Sequence, residues 1–124
     1  MINQCLLFIS SGMLALWGIA HLFPTVSVVN GFGEISNDNR NIIKMEWINE
    51  GVTLVLIGAI VSAVAAIDLN ARVSFIILWI CFFALNLLSV ISLFTGFKIS
   101  FIPFKLCPVI FTLSSVMILL GMYL

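Results

Sequence analysis

Charge is what this sequence has least of. Only 8% of its 124 residues are Asp, Glu, Lys or Arg, the signs cancel to a formal net charge of zero, and there is a single histidine. Without a basic run, neither nucleic acid nor an anionic surface is supported as a partner. Three cysteines, Cys5, Cys81 and Cys107, stand far apart with no Cys-x-x-Cys pair. That argues against a thiol–disulfide enzyme and against a cysteine zinc site. A basic start is missing as well: Met1-Ile2-Asn3-Gln4 is not the opening of a signal peptide, and Ser27-Val28-Val29 after Pro24 is a poor cleavage site. The first apolar segment therefore reads as a retained helix.

What is there in abundance is hydrocarbon. Hydrophobic residues make up 63% of the chain and the mean hydropathy is +1.30, which is not the balance of a domain that folds in water. Runs free of Asp, Glu, Lys and Arg cover Met1 to Gly33, Gly51 to Ile67, Val73 to Phe97 and Leu106 to Leu124. Each is close to or above the ~17 to 25 residues that cross hydrocarbon as a helix. Strands of a membrane barrel would alternate polar and apolar residues, and these runs are apolar on every side. The expected class is all-α, an integral membrane four-helix bundle forming one domain over 1–124, with membrane lipid as its first partner.

Pro24 stops the first helix, expected over about 5–23. The connection 24–38 is the only long one, and the Asn30-Gly31 turn signal among β-prone residues predicts a small hairpin or an interfacial loop acting as a lid. Ser36, Asn37, Asp38 and Asn39 offer N-caps for a second helix over about 39–67. Asp68 to Arg72 is a tight turn, the third helix covers about 73–95, and the fourth about 100–123. Pro108 is expected to kink the last one. Small residues form edges for close packing: Ser11, Ala15 and Gly18 on the first helix, and Gly51, Gly58, Ser62 and Ala65 or Ala66 on the second.

Four spans place both ends of the chain on one side and the 24–38 connection with the Gly96 turn on the other, the loop side. Arg40, Lys44, Lys98 and Lys105 lie near the loop side against Arg72 alone opposite, so the positive-inside rule makes the loop side cytoplasmic. If Lys44 and Lys105 are buried partners of the glutamates, the bias falls to two against one.

The stretch Lys44-Met45-Glu46-Trp47-Ile48-Asn49-Glu50-Gly51 breaks the apolar pattern. At 3.6 residues per turn Glu46 and Glu50 stack one above the other, Thr53 continues their stripe and Asn49 borders it. Counted at ~1.5 Å per residue from the helix ends on the loop side, Glu46 lies about 6 Å in, Glu50 and Asn86 about 12 Å, Lys105 about 6 Å and His21 about 4 Å. All four helices thus bring a polar group to one layer, whereas the other half has little beyond Ser10, Ser62, Ser74 and Ser114. An isolated charge in hydrocarbon costs ~3 kcal/mol or more, so these groups should face inward and be paired.

Lys105 is the expected partner of Glu50 or Glu46. One lysine cannot neutralise two carboxylates, so His21 carries a proton, Lys44 helps, or one glutamate keeps its own proton. Thr112 and Ser115 would continue the Lys105 face, and Asn86 with the Trp79 and Phe82 rings would floor a pocket. Trp17 and Trp47 read as interface anchors. A metal held by His21, Glu46 and Glu50 is disfavoured by the single histidine, and the sequence leaves any cofactor open.

The short four-helix plan, with a first helix ending Gly18-Ile19-Ala20-His21, resembles the small DoxX-like membrane proteins. That family includes subunits associated with quinone-linked thiosulfate oxidation, so the resemblance implies a respiratory or lipid-soluble partner and assigns no residue a role. The expected function is binding of a small, mostly apolar or lipid-like molecule such as a quinone, at Glu46, Asn49, Glu50, Asn86, Lys105 and His21. If there is turnover, Glu50 with His21 is the acid/base pair. The alternatives are an accessory or assembly subunit that docks through its small-residue flanks onto a membrane complex or a second copy of itself, and third, proton or ion transport.

Overall fold

A charge-free apolar run has one way to satisfy its own backbone in hydrocarbon, which is to close its hydrogen bonds locally as a helix. A computed structural model covering residues 1–124 is built this way. It contains α1 (Ile2–Leu22), α2 (Thr25–Gly31), α3 (Asn37–Ile67), α4 (Arg72–Phe94) and α5 (Ile102–Tyr123), with a 3-10 turn at Gly96–Lys98 and no strand. Four of them, all but α2, are long and apolar enough to cross a membrane. By length and composition this is a multi-pass membrane protein.

The 24–38 connection differs from the hairpin or loop expected there, because it contains a helix. Pro24 begins it, the Thr25 hydroxyl donates back to the Leu22 carbonyl at 2.6 Å, and Thr25 and Val29 are buried. A hairpin of this length is at best marginal alone, whereas a single helical turn or two can lay one apolar face against α3. The Asn30-Gly31 pair marks the end of α2 instead, and Gly33 then takes a positive φ of 72°. Arg40 fastens the returning chain by donating to the Asn30 side-chain oxygen at 2.9 Å and the Gly33 carbonyl at 3.4 Å. Ser36 is the N-cap of α3, accepting from the Asn39 N–H.

Helices α1 and α3 form the closest pair, antiparallel and in a seven-residue register. Gln4 donates to the Ala65 carbonyl and Ser11 to the Gly58 carbonyl at 2.7 Å, while Gly18 faces Gly51 so closely that a Cβ on Gly18 would lie 2.6 Å from the Gly51 carbonyl oxygen. Small residues recurring every seventh position hold one seam between two helices along its whole length. The small-residue flanks are thus spent on each other inside the chain.

Around the bundle the order is α3, α1, α5, α4, and the ring closes only loosely between α4 and α3. Leu7 and Leu14, Leu54 and Val61, Leu78 and Leu85, Phe111 and Ile118 from the four spans meet in one core. Only 28 of the 124 residues are buried, so most of the apolar content has to lie outside the core. It forms an outer belt that includes Leu16, Leu56, Ile80, Phe83 and Leu87, the surface a lipid tail would wet. Between α4 and α5, Ser89 shares a 2.8 Å hydrogen bond with Thr112 and reaches the Pro108 carbonyl at 3.1 Å. Thr112 is therefore bonded across to α4, and Ser115 donates to the Thr112 carbonyl within its own helix at 2.9 Å, so both hydroxyls are engaged away from Lys105.

Candidate functional site

Trp47 lies three residues before Glu50 and four before Gly51, so it shares the face of α3 that meets α1. Its indole stacks on the His21 imidazole with ring centres 3.9 Å apart and planes 14° from parallel, and its N–H donates to the His21 carbonyl at 2.6 Å. Phe104 of α5 meets the same indole edge-on. Trp47 is thus an internal support and not the interface anchor its sequence position suggested. A tryptophan with one polar end finds its partner here on a helix terminus, where carbonyls have no intrahelical donor.

His21 is buried, and its Nε2 lies 3.4 Å from Glu50 Oε2. The contact lacks hydrogen-bond alignment, since the buried Nε2 finds no hydrogen-bond partner. The Glu50 side chain is about one third exposed. Of all the acidic and basic side chains, only these two lie within salt-bridge distance of each other.

The pair stands between two cavities. The smaller, about 180 Å³, is walled by Trp17, His21, Pro24, Phe101 and Pro103. The larger is a crevice of about 580 Å³ where α3 and α4 fail to close, reached by Glu46, Asn49, Glu50 and Thr53 on one side and Leu88, Ser92 and Thr95 on the other. Trp47, Phe104 and Cys107 line both and separate them. Seen from the chain, the loose α3–α4 seam makes the crevice, and the aromatic partition makes the second chamber.

The other residues expected at the site fall differently. Lys105 forms no ion pair; its ammonium lies over the Phe97 ring, 5.9 Å from the centroid. Asn86 donates to the Phe82 carbonyl one turn back at 2.8 Å, so its amide is satisfied within α4, crosses to no other helix and lines neither cavity. Trp79, expected beside it as a pocket floor, belongs to an aromatic cluster with Phe75, Phe82, Phe83 and Tyr123. Glu46 and Asn49 are exposed on the crevice wall.

Glu46 is shallower than counting from the helix end suggests, because α3 runs 31 residues, about 46 Å, and overshoots its neighbours. The contact of Gly51 with Gly18 and Leu22 sets the true level. Glu50 stands beside the last turn of α1, and Glu46 is one turn, about 6 Å, farther out.

No cluster of three or more His, Cys, Asp or Glu side chains has the arrangement of a metal site. The wall residues Trp17, Trp47, Phe104 and Cys107 were not singled out as site residues by the sequence. A signal existed for Trp47: Trp47, Gly51, Leu54 and Gly58 recur at helical spacing on the inward face of α3, which Glu50 borders. No family model, no curated protein and no solved structure matches this chain.

Proposed function

We propose that the crevice between α3 and α4 binds a small, mostly apolar molecule with one polar end, of the quinone or lipid-like class. The observation that carries this reading is the His21–Glu50 contact, with Glu50 on the wall of the crevice. A crevice of about 580 Å³ is in the range that accepts such ligands, which run to several hundred Å³. An ionisable group near hydrocarbon is expensive to keep without a task, and Glu50 is held there by a buried histidine with its other face to the crevice. In this assignment Glu50 takes the polar end of the ligand by accepting from a head-group hydroxyl, as the reduced quinol form of a quinone carries, and His21 sets the charge of Glu50. The apolar tail lies along the open seam, beside Leu88 and Ile91. Asn49 and Thr53 stand on the same wall and orient the head.

The test compares melting of detergent-solubilised protein with and without a decyl-tailed benzoquinol kept reduced, with decylbenzene as the tail-only control. The quinol raises Tm in the wild type and decylbenzene does not. Glu50→Gln folds normally and loses the response; a quinol response unchanged in that variant removes the reading. Native mass spectrometry of gently extracted protein supplies the complementary observation, a co-purifying small molecule. Gly58 and Ser11 are in contact with each other within the chain, so an accessory or assembly subunit would have to dock through other residues.

A further inference from the structure

Three buried side-chain polar atoms in the whole chain have no hydrogen-bond partner: Trp17 Nε1, His21 Nε2 and Ser114 Oγ. Buried polar groups are almost always satisfied, so each exception asks for a reason. Two of the three belong to residues of the smaller cavity. His21 Nε2 at least has Glu50 nearby. An indole N–H can only donate and has no second protonation state to fall back on; the Cys107 thiol facing Trp17 is a weak acceptor and makes no full hydrogen bond with it, so Trp17 is the group that lacks a strong acceptor.

The walls say what kind of molecule would bring one. Trp17, Trp47, Phe101 and Phe104 with two prolines make the lining flat and apolar. A dry cavity of ~150 Å³ holds a benzene ring in a well-studied case, and this one is about 180 Å³. It therefore has room for one six-membered ring and a small substituent.

We infer that the cavity is a second ligand site, distinct from the crevice, that takes a single-ring aromatic compound carrying a carbonyl oxygen, the oxygen accepting from Trp17 Nε1. The ring stacks among the aromatic walls, where offset and edge-on contacts are both favourable. The carbonyl supplies a stronger acceptor than the Cys107 sulfur. This goes beyond the crevice reading and does not rest on it, because the two sites meet only at the Trp47–Phe104–Cys107 partition.

Acetophenone and isopropylbenzene have the same number of heavy atoms and closely similar size and differ in the carbonyl, which makes them the probes. In ¹⁵N-labelled full-length protein in detergent, the three tryptophans give three indole N–H signals, with Trp79, which lines neither cavity, as an internal control. Acetophenone is expected to move the Trp17 signal downfield and leave Trp79 in place, and to bind about tenfold more tightly than isopropylbenzene, the worth of one hydrogen bond. Trp17→Phe keeps the ring, removes the donor and brings the two probes to parity. Ala20→Phe projects into this cavity alone from an exposed position and abolishes binding of both, which keeps the test decisive if Trp17→Phe does not fold. Ser92→Phe fills the crevice instead and leaves acetophenone binding intact, so failure of the crevice reading is seen separately. Equal affinity for the two probes in the wild type, a Trp79 shift as large as that of Trp17, or acetophenone binding that survives Ala20→Phe overturns the inference.

Discussion

Trp47 does two things to His21: it covers one face of the imidazole and ties up the carbonyl of the same residue. Loss of that support is expected to be costly, and Trp47→Ala should destabilise the fold by about 3–5 kcal/mol, as large-to-small changes of aromatic residues do. Trp47→Phe retains the stack and forfeits the N–H bond, at about 1 kcal/mol. Denaturation in a fixed detergent, followed by circular dichroism, measures both. Lys105 makes the opposite prediction. Its ammonium meets a ring and no carboxylate, so Lys105→Met should stay within about 0.5 kcal/mol of wild type, as surface changes do. A loss of ~3–5 kcal/mol, the cost of breaking a buried ion pair, would mean that Lys105 does hold a glutamate.

At the scale of the element, the seam between α1 and α3 is the tightest feature of the molecule. A Cβ on Gly58 would lie 2.8 Å from the Ser11 carbonyl oxygen, with Ala15 N also close. Backbone atoms cannot give way as a flexible side chain can, so Gly58→Leu forces the helices apart. The expected outcome is overpacking strain of about 1–3 kcal/mol or more, read as a lower melting temperature of the whole protein at every protein concentration. A variant that melted normally and differed only in oligomeric mass would place Gly58 at a surface. Ser89 is the milder case. Its hydroxyl bridges α4 to the Pro108 carbonyl and Thr112, and Ser89→Ala should cost roughly 0.6 kcal/mol, a usual value for an interhelical bond within a membrane.

For the whole molecule, the distribution of basic residues sets an orientation to test. Lys44 is exposed and Lys105 pairs with no carboxylate, so both count with Arg40 and Lys98 toward the loop side, against Arg72 opposite. The positive-inside rule then places the loop side in the cytoplasm. Labelling of a single cysteine introduced at Gly33, in a background without the native three, by a membrane-impermeant maleimide should occur only after the membrane is opened. Ready labelling of intact cells would reverse the assignment. Gly33 suits the probe because it is exposed and nothing stands within 4 Å of an added Cβ, although its positive φ adds local strain.

Four apolar runs, each long enough to span hydrocarbon, were sufficient to specify an all-α bundle, because in lipid the backbone has no other partner than itself. The small-residue edges and the polar head of α3 were equally legible, as was the convergence of His21 and Glu50 on the loop side. Which polar groups touch was not. Counting along a helix assigns Lys105 and Asn86 a height, yet rotation about each helix axis and the order α3, α1, α5, α4 decide what they meet, Phe97 for one and the Phe82 carbonyl for the other. The hairpin expected from Asn30-Gly31 gave way to α2 because burial of Thr25 and Val29 outweighs a local β preference. The two cavities are decisions of tertiary structure alone: one exists because α3 and α4 do not close, the other because aromatic rings from three separate segments meet at angles that no sequence spacing records.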